Sequence, residues 1–255
     1  MKKCVLPISL LTCLLFSSCD LVTDVINQQQ LGDGTVYYWI TSDADTYVEC
    51  TNTGGGCTGG DFDHSGYDFV TVAHSQTSIK RTYVNFPKVS FPPGTVIEEA
   101  YFEMYHSGKN EDGKRDDILL DVNRVHRDWN AGQLTYANQP IPTGNGGEVS
   151  MKLESQNWSG TTDIHTQMQD DLMGSTNFQG FLVSIQSWDP VYEKGFYSGN
   201  HRSRTLTDLG LAPRLLLRVK LPDGYTTDNV TVGPGHADGN SNYVGFRYRT
   251  GTGWP

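Results

Sequence analysis

The stretch VIEEAYFEMYH, residues 96–106, carries the clearest fold signal in the chain. Two kinds of side chain alternate in its second half. The apolar set is Ala100, Phe102 and Met104, and the mixed set that alternates with it is Tyr101, Glu103 and Tyr105. Because successive side chains of a β-strand point to opposite faces of the sheet, this alternation predicts a strand with one apolar and one mixed face.

Shorter runs of the same kind stand on both sides of this stretch, separated by turn signals. The predicted strands cover residues 36–40, 46–48, 67–72, 79–86, 96–106, 118–125, 149–153, 180–188 and 214–221. Only residues 163–172 have helical spacing, because apolar residues recur at every fourth position from Ile164 to Leu172. Thr162 or Asp163 would cap this helix.

Many short strands with one short helix are typical of an all-β fold, and here they predict a β-sandwich. The even spread of the strands favours one large domain over two small ones. At 255 residues, the chain is long enough to bury a sizeable core without metal or disulfide staples.

The charge of the chain argues against one class of partner. The formal net charge is -10, with 19 basic and 29 acidic residues. Proteins that bind nucleic acid recruit Lys and Arg to its phosphates, so we expect no nucleic acid partner. The acidic excess does not indicate disorder, because aromatic residues make up 11% of the chain and supply apolar surface to bury.

The N-terminus resembles a bacterial lipoprotein signal. Lys2 and Lys3 give a positive start, residues 5–16 form an apolar run too short to span a bilayer, and Phe16-Ser17-Ser18-Cys19 has the form of a lipobox. We expect cleavage after residue 18 and a lipid on Cys19, which would hold the exported protein to a membrane of the bacterial cell envelope. The alternative is an ordinary secretory signal followed by a chance cysteine.

The number of cysteines that remain after cleavage predicts one disulfide. Removal of residues 1–18 moves the formal net charge from -10 to -12 and leaves Cys19, Cys50 and Cys57. If Cys19 carries the lipid, Cys50 and Cys57 remain to pair across a Gly-rich loop in an oxidising compartment. A metal site from these cysteines is not expected, because two nearby thiols are too few.

Several segments resemble the DNRLRE domain family, which is also described as carbohydrate-binding module family 96. They include residues 43–48, 123–129 and 133–140. The most specific part runs from Arg124 to Pro140, although Tyr136 stands where the family usually has Trp. Further matches follow in the family's order at Trp158, 162–164, 180–183, 195–198 and 213–215. The resemblance covers about residues 35–221.

The resemblance implies a jelly-roll β-sandwich that binds polysaccharide without cleaving it, with acidic polymers such as alginate among the known ligands. The predicted layout is a signal peptide at 1–18, a tether at 19–34, the sandwich at 35–221 and a C-terminal extension at 222–255. Within the extension, residues 244–249 would form one more strand or belong to an appendage with little order.

Glycan-binding surfaces combine aromatic rings, which stack on the apolar faces of sugars, with polar groups at the rim. A surface that binds acidic sugars also needs Lys or Arg to pair with the sugar carboxylates. One such mixture is Trp188, Tyr192, Lys194, Tyr197, His201, Arg202 and Arg204. Our glycan-binding candidates from it are Trp188, Tyr192, Tyr197, Arg202 and Arg204.

Each of these aromatic residues also has a core interpretation. Pro190 and the charged residues near Trp188 and Tyr192 indicate a loop, where binding residues concentrate. For Trp129 and Trp158 we favour packing in the core or pairing across strands, since aromatic rings dominate sandwich cores. A second mixture of basic and aromatic residues is Lys80, Arg81, Tyr83, Tyr101 and Tyr105.

Asp43 and Asp45 are candidate ligands of a structural calcium ion, because carboxylate oxygens suit a hard cation. The alternative is an acidic surface loop without metal. The sequence contains none of the common enzyme motifs that would identify a catalytic residue, so we expect that the protein is not an enzyme.

The leading hypothesis from the sequence is a lipid-anchored, non-catalytic polysaccharide-binding protein. The alternatives are an envelope protein that uses the sandwich to contact other proteins, and a polysaccharide-active enzyme.

Overall fold

The structure is a computed structural model that describes residues 35–52, 57–59, 63–75, 77–110, 118–142, 149–152, 157–174, 176–185, 192–199, 211–233 and 246–250. Within these ranges the fold is a single all-β domain with one short α-helix, as the sequence predicts. No helix in these ranges is long and apolar enough to cross a membrane.

The described strands, in chain order, are β1 (Thr35–Thr41), β2 (Ala44–Asn52), β3 (Cys57–Gly59), β4 (Phe69–His74), β5 (Ser78–Asn85), β6 (Val89–Ser90), β7 (Val96–Asn110), β8 (Leu119–Arg124), β9 (Val149–Lys152), β10 (Trp158–Gly160), β11 (Phe181–Ile185), β12 (Tyr192–Tyr197), β13 (Arg214–Lys220), β14 (Thr231–Val232) and β15 (Phe246–Thr250). Helix α1 spans His165–Met173.

Strand β7 contains the stretch whose alternation predicts it, and it has the predicted faces. Ala100, Phe102 and Met104 are fully buried, while the mixed set of residues remains partly exposed. Antiparallel pairing with β13 places Leu215 opposite Phe102 and Leu217 opposite Ala100, so both strands turn apolar rows to the same side.

The ladder runs in the order β15-β1-β13-β7-β12-β4-β5-β11-β8-β9, with β10 on β7 and with β2 joining β5 to β3. Three strands separate β7 from β11 in this order, yet the rings of Phe102 and Phe181 stack with centroids 4.5 Å apart. The ladder therefore folds over itself and encloses an apolar core. This arrangement is the predicted β-sandwich, and it is consistent with a jelly roll.

A smaller core lies beneath the loop that follows β8. Trp129 is 9% exposed, packs on Tyr83 and donates a hydrogen bond from Nε1 to the carbonyl of Gln179 at 2.8 Å. The hydroxyl of Tyr83 donates to the carbonyl of Pro140 at 3.1 Å. The core interpretation of Trp129 is thus confirmed.

Helix α1 lies within the predicted segment, but its start differs in detail. Ile164 is its N-cap, and no side chain caps it there. Asp163, one residue earlier, accepts hydrogen bonds from the His165 amide at 3.0 Å and the Ala100 amide at 2.9 Å. The Asp163 carboxylate therefore fixes the helix start to β7.

Residues 192–197 form strand β12, between β7 and β4, so the prediction of a loop reaching Tyr192 is wrong. The reason is a charged residue at a buried position. Lys194 is 1% exposed and precedes the buried Phe196 by two positions. With Lys at an inward position, the strand lacks apolar alternation.

The C-terminal extension contributes a strand to the sandwich. Strand β15 pairs antiparallel with β1 and places Arg247 opposite Trp39 in the backbone register. Of the two alternatives for residues 244–249, the part that the structure describes, from Phe246 onward, forms the strand.

Candidate functional site

Arg214 lies between two tryptophan rings on the outer face of the sheet. Its guanidinium carbon is 4.4 Å from the ring centroid of Trp39 and 3.5 Å from that of Trp158. Its Nη2 and Nε lie 2.6 and 2.7 Å from Oε2 of Glu103. We call these four residues the Trp–Arg cluster.

The register of four strands builds this cluster. Arg214 on β13 stands opposite Glu103 on β7, and Glu103 in turn stands opposite Gly160 on β10. A Cβ atom at Gly160 would come within 3.2 Å of the Glu103 side chain. The glycine therefore leaves room for the carboxylate that holds Arg214.

The charge of Arg214 is shielded rather than presented to solvent. Its side chain is 14% exposed, and burial lowers its pKa while Glu103 acts to raise it. Arg remains protonated under such conditions. The guanidinium therefore packs against the two rings, and its Nε and Nη2 both bind Oε2 of Glu103.

Aromatic contacts continue from Trp158 across the sheet. Tyr105 meets Trp158 edge to face, with centroids 5.4 Å apart, and lies 5.9 Å from Tyr197. Tyr197 is 5.0 Å from Phe69 on β4. All these rings are half-buried. We call Trp39, Trp158, Tyr105, Tyr197 and Phe69 the aromatic band.

A second aromatic group, the Tyr–His stack, consists of Tyr47, His64 and Tyr67. The rings of Tyr47 and His64 stack 3.9 Å apart at 14°, and Tyr67 lies 5.3 Å from His64. Tyr67 is 52% exposed. Burial, with a smaller contribution from Glu49, raises the pKa of Tyr47 to about 12, so its phenol is neutral near pH 7.

Lys80 connects the Tyr–His stack to strand β12. Its ammonium is 2.8 Å from Glu193 and 3.9 Å from Glu49, and it lies 5.8 Å from the ring centroid of Tyr47. Like Arg214, this cation is already paired with carboxylates.

Of the glycan-binding candidates predicted from the sequence, Tyr197 lies in the aromatic band. Trp188, Arg202 and Arg204 lie outside the described residues. Tyr192 begins β12, and its side chain also lies outside what is described. The burial of Lys194 removes that residue from the surface mixture in which the sequence placed it.

The second predicted mixture is divided by the structure. Tyr83 is fully buried in the smaller core, whereas Lys80 belongs beside the Tyr–His stack and Tyr105 to the aromatic band. Arg81 packs on Tyr136, 5.3 Å from its ring centroid. These residues therefore do not form one surface.

Asp45, a predicted calcium ligand, is 2% exposed and accepts several protein hydrogen bonds. The donors are the Ser42 hydroxyl at 3.1 Å, the Gly199 amide at 2.6 Å and the Ser198 hydroxyl. A Cβ atom at Gly199 would lie 2.8 Å from the Ser42 hydroxyl, so a larger residue there would displace the groups that bind Asp45. The Asp45 carboxylate joins the β1–β2 turn to the segment after β12.

The metal prediction has no further support in the described residues, which contain no group of three or more His, Cys, Asp or Glu side chains suited to an ion. Calcium at Asp43 and Asp45 stays a prediction. Cys50 is disulfide-bonded. The side chain of Cys57 and the whole of Cys19 lie outside the described residues, so the Cys50–Cys57 pairing is our proposal.

Sequence reasoning missed the Trp–Arg cluster. It expected Trp158 to pack in the core or to pair across strands, and the ring does pair with Tyr105 across β10 and β7, although it lies half-buried on the outer face against Arg214. The usable signal was the outward position of Trp39 in the alternating run of β1, whose neighbours Tyr38 and Ile40 are fully buried. The alternation in β1 shows that Trp39 points to the outer face of the sheet, but it does not show which residues Trp39 contacts there.

Comparison of the chain with protein-family models and with curated proteins finds no match. The DNRLRE resemblance therefore rests on the motif residues alone.

Proposed function

We propose that this protein is a lipid-anchored bacterial envelope protein that binds polysaccharide without cleaving it. The observation that carries the proposal is the aromatic band, a continuous row of half-buried rings on the outer face of the sheet. Sugar rings have apolar C–H faces that stack on aromatic rings, and polar groups at the rim fix their orientation.

The rings of the band are held in place before any ligand binds. Arg214 packs against both tryptophans, and Tyr105 meets the edge of Trp158. Side chains that are already ordered lose little conformational entropy on binding, which favours affinity. This arrangement suits a binding platform, because binding does not have to order the rings.

The lipid anchor belongs to the same proposal. Cys19 and the lipobox predict attachment to a membrane, and residues 19–34 would tether the domain to it. A sandwich held in this way would keep a polysaccharide close to the envelope. The DNRLRE resemblance supports the same type of ligand.

Native affinity electrophoresis tests the proposal. The purified protein is run through gels that contain one soluble polysaccharide each, including alginate, β-glucans, mannans and xylans. We expect retardation by at least one polysaccharide and its loss in Trp158→Ala. Tyr225→Ala is the matched control, because Tyr225 is 45% exposed and lies outside the band. No retardation in any gel, with a stoichiometric protein partner recovered instead, would favour the protein-interaction alternative.

A further inference from the structure

We infer that one end of the sandwich rests on the lipid surface to which Cys19 would anchor the protein, and that it holds the aromatic band away from that surface. This inference rests on the proposed function, in which Cys19 carries a lipid, and goes beyond it, because an anchor alone fixes no orientation. Two observations carry it: the place where the tether joins the sheet, and the side chains that are exposed there.

The first observation concerns the start of β1. The predicted tether, residues 19–34, joins the sandwich at Thr35, the first residue of that strand. The register places Thr35 opposite Lys220 and Lys220 opposite Val96. Strand β1 therefore begins where β13 ends and where β7 begins.

Two turns extend this end of the sheet. The turn at 92–95 is closed by a backbone hydrogen bond from Thr95 to Pro92 at 3.2 Å, and the turn at 222–225 by one from Tyr225 to Pro222 at 3.1 Å. A Cβ atom at Gly94 would lie 3.6 Å from the Pro222 ring, so the two turns are neighbours. We call Thr35, Val96, Lys220 and these two turns the tether end.

The aromatic band lies farther along the same strands. Trp39 comes four residues after Thr35 on β1, and Tyr105 comes nine residues after Val96 on β7. At the usual rise of a strand, these steps correspond to about 13 Å and about 30 Å. With the tether end on the lipid surface, the rings of the band would therefore stand clear of the lipid headgroups, where a polysaccharide can reach them.

The second observation concerns exposure. Among the described residues, five large hydrophobic side chains are exposed, and two of them lie at the tether end: Tyr225, which is 45% exposed, and Val96, which is 50% exposed. Tyrosine favours the membrane interface, because its ring is apolar and its hydroxyl stays in contact with water. The exposed residues here include both Lys220 and Asp223, so we assign the contact to the apolar side chains rather than to net charge.

The tether allows a small contact to be sufficient. Even when fully extended, residues 19–34 span at most about 58 Å, so Thr35 stays within that distance of the lipid surface. Two linked surfaces meet at a high effective concentration, and a contact that is too weak for a free protein becomes populated. The lipidated protein is therefore the form in which the contact has to be measured.

Quenching of tryptophan fluorescence by brominated lipids tests the inference. The full-length lipidated protein is reconstituted into phosphatidylcholine vesicles with or without bromine on the acyl chains, because bromine quenches only nearby rings. Tyr225→Trp places a reporter at the tether end, and its exposed position predicts an intact fold. We expect the fluorescence that this variant adds to the wild-type signal to be quenched by at least half.

Tyr67→Trp is the matched control. Tyr67 is 52% exposed, similar to Tyr225, but its ring contacts Tyr47 and His64 and lies outside the tether end. We expect the fluorescence that this variant adds to be quenched by less than a tenth.

Three outcomes would count against the inference. Equal quenching at positions 67 and 225, or stronger quenching at 67, would contradict the orientation and leave the lipid anchor in place. Quenching at neither position would contradict the contact and also leave the anchor in place. Failure of the wild type to float with the vesicles in a density gradient would contradict the lipid anchor, and with it this part of the proposed function.

Discussion

The guanidinium carbon of Arg214 lies 3.5 Å from the ring centroid of Trp158, and the same side chain binds Glu103 through two nitrogens. This contact fixes a ring that strand β10 presents at the edge of β7. Arg214 is therefore a positioning residue for the aromatic band, because its Nε and Nη2 bind Glu103 while its guanidinium packs against both tryptophan rings.

Arg214→Lys should loosen the tryptophans, because an ammonium cannot lie flat against a ring and hold a carboxylate with a planar fork. We expect a loss of about 1–2 kcal/mol in the free energy of unfolding, measured by chemical denaturation. Glycan affinity should fall as well. Arg218→Lys is the control, since its side chain is 35% exposed, and it should leave stability within experimental error. Equal stability of both variants would contradict the positioning role.

Asp45→Asn should destabilise the fold, because the amide nitrogen cannot accept the hydrogen bonds that reach the Asp45 carboxylate. We expect a loss of roughly 2–3 kcal/mol in the free energy of unfolding. The exposed Asp223→Asn serves as a control for the charge change. A loss no larger than that of the control would contradict the structural role of Asp45.

The same carboxylate gives a test for calcium. A cation at Asp45 would have to displace its protein donors, so EDTA should leave the unfolding midpoint unchanged. A midpoint lowered by EDTA and restored by calcium would instead support the predicted ion.

His64 should make stability depend on pH. Burial lowers the pKa of His64 from 6.5, and Lys80 lowers it further, against Glu49 and Asp63. Below about pH 6.5 the unfolded chain therefore binds the proton more readily than the folded one. The stabilising contribution of His64 is complete above that pH and is lost as pH falls through the lower folded-state value.

His64→Phe should keep the stack on Tyr47 and remove this dependence. Denaturation curves between pH 7.5 and pH 5 should fall less steeply for the variant than for the wild type. Parallel pH profiles would show that His64 does not carry the effect.

Cys19→Ser should release the protein from the membrane. We expect metabolic labelling with palmitate and recovery in the membrane fraction for the wild type, and neither for the variant. An unlabelled wild-type protein would support the ordinary secretory signal instead.

The strands were predictable where buried positions hold apolar residues, as in β7 and β13. Strand β12 was not, because Lys194 is charged and yet buried. Local alternation signals a strand only when the inward residues are apolar. The core position of Trp129 also followed from the sequence, since aromatic rings fill such cores.

The candidate site was less accessible to sequence reasoning. Trp39, Glu103, Trp158 and Arg214 come from four strands spread along the chain, and only the pairing register brings them together. Tyr197 was predicted as a binding residue, but its contact with Tyr105 depends on the order of strands in the ladder. Composition and motifs show which residue types are present, whereas the strand register determines which of them lie side by side on the surface.

The most direct test of the central claim is a glycan array probed side by side with the wild type and the Trp39→Ala/Trp158→Ala double variant, after circular dichroism has shown that both are folded. The wild type should bind at least one polysaccharide, and the double variant should bind it at least tenfold more weakly. Equal binding by both proteins, or binding to no glycan by the wild type, would contradict the claim that the aromatic band is a polysaccharide-binding surface.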